Sequence, residues 1–579
     1  MEKMINLKIN SKDVSVPSGT TILEAAKKVN VHIPTLCHLD LHKLGFVNDQ
    51  ANCRICMVEN GNKMVPACNT IVKEGMNIVT NSIKAIRYRK VNLELILSNH
   101  PKDCLICNKN GRCELQSLAA SLNVREIRYD GERMTFPTDN SSYSIIRDPD
   151  KCILCKRCTT MCNDVQTVGS LTDVGRGFNT VVSTAYHRPM IETNCTFCGQ
   201  CLAVCPTGAL SEVSNIKEVY KAIQDPSKTV IVQTAPAVRV ALGEEFGMDP
   251  GTIVTGKMVA SLRQMGFDYV FDTDFAADLT IMEEATEFVD RFKSNKNLPI
   301  LTSCCPSWVK FIEHKFPELL DIPSSCKSPH EMFGSVAKTY FADQAGLDSK
   351  DIVVVSVMPC VAKKYEANRE ELSHGNSGDV DYVITTRELA SMIKDMNIAF
   401  EEIEEDDFDD PLGESTGAGV IFGASGGVLE ATLRTAYHII TGKELKEVEF
   451  HDLKGIEGIK ESVIDIEGRK INVAVANGLG HARTLLEIAA KDRSRFDVIE
   501  IMACPGGCIG GGGQPFLRGH IETLVKRMNA IQSEDRSKAL RKSYENPSIR
   551  KIYDEYLGFP GSEKAHELLH TRFKGRVDK

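Results

Sequence analysis

No stretch of this 579-residue chain stays apolar for long: runs such as Val353-Val354-Val355 fall far short of the ~20 residues a bilayer span requires. The opening "MEKMINLKIN" lacks the apolar core of a secretory signal. There is no run of basic residues either, and a formal charge of -9 offers nothing that nucleic acid or an anionic membrane would attract. No glycine-rich fingerprint follows a strand at dinucleotide spacing, and "GASGG" at 423–427 signals no more than a turn. These absences predict a cytoplasmic protein with no nucleic-acid or membrane partner and no readable flavin or nicotinamide site. The 42% hydrophobic and 25% charged content is that of globular domains, and the length predicts about three or four of them.

Cysteine, by contrast, is plentiful, and in a reducing compartment the 21 cysteines are metal ligands before they are disulfides. The stretch "MINLKINSKDVSVPSGTTILEAAKKVNVHIPTLC" alternates as a strand, turns at Asn10-Ser11-Lys12-Asp13, returns as a strand and enters a helix, with Ser18, Thr20 and Thr21 as capping oxygens. That order suggests a β-grasp ferredoxin domain over 1–82. From about residue 83, "IKAIRYRKVNLELILSNH" has helical period and leads into a small helical cysteine module, 83–125. Residues 126–214 hold two similar cysteine runs, the one evident repeat. From 215 to 579 the pattern becomes α/β, with "KTVIVQTAPAVRVAL", "GFDYVFDTD", "DIVVVSVMPC" and "INVAVANGLG" as buried strands, each near a helical stretch. The acidic run "EEIEEDDFDD" at 401–410 reads as a solvated loop.

Spacing sorts the cysteines. Cys37, Cys53, Cys56 and Cys68 form a close pair with an outlier on each side, the layout of a 2Fe-2S site, with a zinc ribbon as the alternative. His100, Cys104, Cys107 and Cys113 follow as HxxxCxxCxxxxxC; His100 is either a helix-end histidine beside three ligands or the fourth ligand of a 4Fe-4S cluster. Cys152, Cys155, Cys158 and Cys162 repeat as Cys195, Cys198, Cys201 and Cys205, each CxxCxxCxxxC. In this two-cluster pattern the fourth cysteine of each run ligates the other cluster, grouping Cys205 with the first three and Cys162 with Cys195, Cys198 and Cys201. Cys304, Cys305, Cys326, Cys360, Cys504 and Cys508 remain, and a further cubane takes four of these six.

"TSCCPSW" at 302–308, "MPCVAKK" at 358–364 and "MACPGGCIGGGGQP" at 502–515 resemble, in order and spacing, the three signatures of the FeFe-hydrogenases. The upstream modules resemble the accessory domain of the large clostridial-type members, so the likeness covers nearly the whole chain. The resemblance implies a large α/β catalytic domain at 215–579 with a segment like the family's small subunit from about 530. It implies reversible H2 oxidation and proton reduction at an H-cluster, a 4Fe-4S cubane bridged through a cysteine to a di-iron unit carrying CO, cyanide and azadithiolate. One 2Fe-2S and three accessory 4Fe-4S clusters would relay the electrons. By position the cubane ligands are Cys305, Cys360, Cys504 and Cys508, with Cys508 the bridge, and the glycines after it leave room for the inorganic group. Lys363 would donate to a cyanide, and Met358, Met502, Pro236 and Ala237 would line the di-iron pocket. Ala237 stands where many relatives have serine, and His330 where many have glutamine. Cys326 matches no ligand position and reads as an ordinary thiol.

The second cysteine of the "CC" pair then has a use. Splitting H2 releases a proton that must leave a dry pocket through groups within hydrogen-bond reach, and the Cys304 thiol, with an ordinary pKa of ~8.5, can lend and recover one. In "LTIMEEATEFVDRF" at 279–292, Glu284, Glu287 and Arg291 share one helix face and, with Ser324 between the glutamates, correspond to the family's proton relay. That relay argues against two other classes, a non-catalytic iron-sulfur assembly factor and a hydrogen sensor. The implied partners are H2 and protons, ferredoxin or a similar carrier, and maturation proteins. The N-terminal modules also resemble subunits of NAD-linked, sometimes bifurcating, complexes, which would add flavin- and NAD-binding subunits. Fifteen residues separate Cys37 from Cys53, a long loop expected to mark a partner surface.

Overall fold

Strands Met4–Ile9 and Lys12–Pro17 pair antiparallel across Asn10-Ser11, both at positive φ (48 and 68), as the tightest hairpin turns require. Strands Asn77–Val79, Met57–Asn60 and Lys63–Pro66 complete a five-stranded sheet. Of the three candidate caps, Thr21 caps helix Ile22–Lys28, in a reciprocal capping box with Glu24. This computed structural model describes residues 3–46, 51–302, 304–374, 377–445, 449–450, 453–456, 458–518 and 520–576.

Helix Ile83–Asn99 starts on Ser82, whose hydroxyl accepts from Ala85 N, and ends at His100. Its Arg89 donates to Met57 O at 2.9 and 3.1 Å, fastening the helix to the first sheet. The two cysteine runs that follow are mostly loop, closed by the short antiparallel pair Ile145–Arg147 and Leu210–Glu212.

Beyond residue 215 two four-stranded sheets stand side by side. In the first, Tyr269–Asp272, Thr229–Thr234, Ile352–Met358 and Tyr382–Thr385 are all parallel. Both faces are covered, which is why the strands read as nearly continuous apolar runs. In the second, Ile300–Thr302, Val498–Met502 and Arg469–Asn477 are parallel and Ile459–Ile466 returns antiparallel. Helix Thr273–Ser294 joins them. Its first half packs Phe275 and Leu279 into the core of the first sheet, and its second half packs Ala285, Phe288 and Val289 into that of the second.

Two sequence expectations change in detail. The strand in "GFDYVFDTD" is cut short at Asp272, whose carboxylate caps the helix by accepting from Asp274 N, so the helix begins before residue 279. The acidic run is not simply solvated: Arg263 holds Asp406 and Asp409, Asp409 accepts from Val270 N at 2.7 Å, and Phe408 packs on the core. In the loop between Cys37 and Cys53, residues 47–50 lie outside the described residues. In its earlier part His42 and Gly45 are exposed, while Leu44 packs on the core that holds Ala237 and Met502 and the Phe46 ring lies 5.2 Å from that of His481. Among the described residues no helix is long and apolar enough to cross a membrane.

Candidate active site and metal centres

Each candidate loop leaves the carboxyl end of a parallel strand, where open α/β sheets place their ligands. Thr229–Thr234 runs into Pro236 and Ala237, Ile300–Thr302 into Cys304 and Cys305, Ile352–Met358 into Cys360, and Val498–Met502 into Cys504. Cys305 is the N-cap of helix Pro306–Lys315, with proline in the first turn. Burial pushes its thiol up, and backbone N–H groups of Trp308, Ala503 and Ser307 oppose that by favouring the thiolate.

Cys305, Cys360, Cys504 and Cys508 lie close enough to act on one another's charge. Burial raises the pKa of Cys504, and Cys360, Cys305 and Cys508 raise it further; Cys508 is raised by burial and by Cys304, Cys360 and Cys305. A bound cation relieves such crowding, and an all-thiolate set suits an iron-sulfur cluster. Met358 and Met502, both buried, each end a strand, one in each sheet, and Ala237 O accepts from Gln514 Nε2 at 2.7 Å.

The glycines after Cys508 also meet backbone on their other sides. A Cβ on Gly511 would lie 2.1 Å from Pro359 O, on Gly512 2.7 Å from Gly199 Cα, and on Gly513 3.0 Å from Cys360 N. They let the ligand loops lie backbone against backbone, on each other and on the two-cluster domain. Arg387 locks the arrangement by donating to the carbonyls of Gly512 and Gln514 and to Glu212.

Lys363 is anchored behind the site. Its ammonium donates to Glu366 at 2.5 Å and to Cys304 O at 3.0 Å, leaving one of three donors for a ligand. Burial opposes its charge, but Glu366 and Cys304 hold the pKa above normal. Glu366 also takes Ser328 Oγ at 3.0 Å and His330 Nδ1 at 3.1 Å, and despite its burial Lys363 and His330 hold it down to about 2. His330, unlike a glutamine, therefore brings a titratable ring into contact with the partner of Lys363.

Cys304 departs from expectation. Its thiol is not near the ordinary value; burial pushes it up to about 12, with Lys363 opposing. On helix Thr273–Ser294, burial raises Glu284 to about 8, reinforced by the carboxylates of Glu287 and Glu500, and its Oε1 has no hydrogen-bond partner. Glu287 accepts Ser324 Oγ at 2.9 Å, Ser325 N at 3.1 Å and Arg291 at 2.5 Å. Two participants were not legible in the sequence. Glu500 is a buried carboxylate that caps the helix starting at Gly427 by accepting from Gly426 N and Leu429 N, and burial raises it to about 7. Glu366 carries no signature beyond its place three residues after Lys363.

The accessory thiols lie in three stretches of the chain, and in all but the Cys104 case another candidate thiol acts on them or is close by. Cys56 and Cys68 have sulfurs 3.3 Å apart, and Cys37 exchanges hydrogen bonds with Cys53 and Cys68. Cys113 feels Cys107 after burial, Cys104 is exposed, and His100 Nδ1 is buried without a partner, as a nitrogen awaiting a ligand would be. After burial, Cys158 feels Cys155, Cys152 and Cys205 and, least, Cys201, whereas Cys201 feels Cys198, Cys195 and Cys162 and, least, Cys205, an order that fits the crossed grouping of a two-cluster ferredoxin. Cys198 in turn acts on Cys504.

Residues 228–512 match the iron only hydrogenase large subunit, C-terminal domain, and 521–576 the iron hydrogenase small subunit. Upstream, 2–82 match a 2Fe-2S iron-sulfur cluster binding domain, 89–128 the NADH-ubiquinone oxidoreductase-G iron-sulfur binding region, and 143–209 a 4Fe-4S dicluster domain. The chain is 54% identical to the NADP-reducing hydrogenase subunit HndD of Solidesulfovibrio fructosivorans, over 98% of this chain and 99% of that one. It is 40% identical to iron hydrogenase 1 of Clostridium pasteurianum over the same shares. A variant of the apo FeFe-hydrogenase HydA1 of Chlamydomonas reinhardtii superposes with a TM-score of 0.57 at 41% identity, covering 63% of this chain and 99% of that structure. With the catalytic domain, its small-subunit segment and the ferredoxin-like modules all matched in one chain, the protein belongs to the FeFe-hydrogenases, the iron enzymes that oxidise H2 and reduce protons.

Proposed function

We propose that the chain is the hydrogen-activating and electron-relaying subunit of an NADP-linked complex, able also to exchange electrons with ferredoxin. The likeness to HndD over nearly the full length of both chains supports the complex, and the missing dinucleotide fingerprint leaves the flavin- and nicotinamide-binding steps to partner subunits. The proposed division is 1–82 for one 2Fe-2S cluster, 83–125 for a 4Fe-4S cluster on His100, Cys104, Cys107 and Cys113, 126–214 for two crossed 4Fe-4S clusters, and 215–579 for the H-cluster.

The observation that carries the active-site reading is the meeting of Cys305, Cys360, Cys504 and Cys508 at the strand ends, with Cys304 and Lys363 against them. When bound, the H-cluster supplies the open iron position and the basic amine at which H2 is made or split. Lys363, fixed by Glu366, orients the group with its remaining donor. The apolar walls from Ala237, Met358 and Met502 exclude water. Cys304, protonated at neutral pH because it is buried, gives up a proton only as it takes another. Glu284, whose pKa sits near ambient pH, exchanges protons inward with Cys304 and outward through Ser324 to Glu287, and Arg291 holds Glu287 at the half-buried end.

The test is to purify the protein from its source under anaerobic conditions, identify what copurifies, and measure H2-dependent reduction of ferredoxin and NADP+ with and without those subunits. Infrared bands of CO and cyanide must accompany activity. A chain with those bands that reduces ferredoxin at full rate, and that neither copurifies with nucleotide-binding subunits nor gains from adding them, would refute the complex.

A further inference from the structure

Where the relay helix meets the C-terminal segment, three donors stand together that the hydrogen chemistry leaves unused as a set. Glu287, Cys326 and His570 each present one ligand atom, and all lie within 4.8 Å of one another. Cys326 Sγ is 4.0 Å from Glu287 Oε2. With bonds of ~2.0–2.3 Å, tetrahedral zinc sets its donors roughly 3.3–3.8 Å apart, so donors within 4.8 Å of one another need to close by no more than about 1.5 Å.

The donors are held as a metal site would hold them. Lys327 N donates to Leu569 O and Thr571 N to Ser325 O, both at 2.8 Å, which sets His570 opposite Cys326. His570 Nε2 lies 3.0 Å from Glu283 Oε2, and Glu283 also accepts the Tyr553 hydroxyl and Gly561 N. That carboxylate keeps the ring proton on Nε2 and turns the Nδ1 lone pair toward Ser325 Oγ, 2.8 Å away. A carboxylate behind a histidine is how proteins aim and strengthen an imidazole ligand. Cys326 is buried, and the Glu287 and His570 side chains keep 16% and 7% of their surface exposed, so the Glu287 edge is the side nearest solvent. One thiolate, one carboxylate and one neutral imidazole carry two negative charges, which a divalent cation cancels. The mixed sulfur and nitrogen set disfavours Mg2+ and Ca2+, which take oxygen ligands.

We propose that Glu287, Cys326 and His570 form an inhibitory site for a thiophilic divalent cation, Zn2+ above all. Binding displaces the Cys326 proton and takes Glu287 Oε2 away from Ser324, breaking the outer link of the relay. Binding itself is independent of the proposed function; the arrest of turnover rests on Glu287 belonging to the relay.

Holoenzyme would be titrated with ZnCl2, desalted, and examined by zinc X-ray absorption and by H2 turnover. The expected result is a sulfur neighbour at ~2.3 Å with nitrogen and oxygen at ~2.0–2.2 Å, turnover that falls with occupancy and returns with chelator, and no effect of MgCl2. Cys326→Ser, nearly isosteric and outside the catalytic machinery, keeps basal turnover, and both it and His570→Gln raise the inhibitory zinc concentration by at least ~10–100-fold. A zinc spectrum and inhibition unaltered by both substitutions would overturn the site. Zinc held through Cys326 with full turnover would keep the site and overturn the relay role of Glu287.

Discussion

Replacing Glu284 with glutamine tests the relay at its inner carboxylate. Burial lifts this carboxyl from 4.5 to about 8, so about nine in ten are protonated at pH 7. That rise corresponds to roughly 5 kcal/mol against ionisation. Glutamine matches the neutral form in shape and cannot exchange a proton, so Glu284→Gln should fold and bind its clusters normally while turnover falls by ~10²–10⁴. The wild-type pH profile follows from the same value. H2 oxidation needs Glu284 ionised to receive a proton, so its rate should rise toward pH 8 and level off above it. H2 evolution needs Glu284 protonated, so its rate should decline above pH 8. The folded pKa lies above the unfolded one, so this group's contribution to stability is complete below about 4.5 and is lost as pH rises through about 8. Glu284→Gln lacks that loss, and its thermal midpoint relative to wild type should increase with pH. Turnover in both directions with a small-molecule mediator, infrared spectra and melting curves from pH 6 to 9 would be measured on the same preparations. Near-normal turnover in the variant, or a wild-type profile with no inflection near 8, would refute the reasoning.

Cys304→Ser should retain all iron and the CO and cyanide bands yet lose ~10²–10⁴ in turnover, whereas Cys305→Ser should lose the active-site cubane; iron content and infrared spectra separate them. His100→Cys should leave a cubane in place with a lower potential, since thiolate adds charge where imidazole adds none; a redox titration that finds no fall would exclude His100 as a ligand. Glu366→Gln leaves the buried Lys363 ammonium without its partner and should destabilise the protein by about 3–5 kcal/mol while shifting the cyanide bands; unchanged bands would mean that Lys363 does not need Glu366 to hold its position.

The cysteine framework was readable because thiolate clusters impose spacing on the chain itself: Cys152 to Cys162 and Cys195 to Cys205 each form one short loop. The strands of the parallel sheets were readable because burial on both faces leaves continuous apolar runs. The groups that tune the site were not, because they act across distance in the chain. Glu500 influences Glu284 from a strand more than two hundred residues away, and its neighbours in sequence are ordinary core residues. His570 reaches Glu283 and Ser325 through a strand pairing that no local pattern announces. The raised pKa of Cys304 likewise comes from enclosure by several segments, and residue type alone suggests the solution value.

The bare contact between Gly199 and Gly512, where a Cβ on Gly512 would lie 2.7 Å from the opposite Cα, bears on how current flows through the molecule. Cys198 is next to Gly199, and Cys508 precedes the glycine run by one residue, so under the proposed cluster assignment two main chains pressed together would set the gap between the innermost relay cluster and the catalytic one. Electron tunnelling weakens exponentially with distance, and a gap set by backbone cannot breathe as one set by side chains can. On that assignment the two glycines would act as a mechanical stop, a fixed spacer in the wire. A Gly512→Ala change, which touches no iron, would slow the internal electron step by prying the conductor apart.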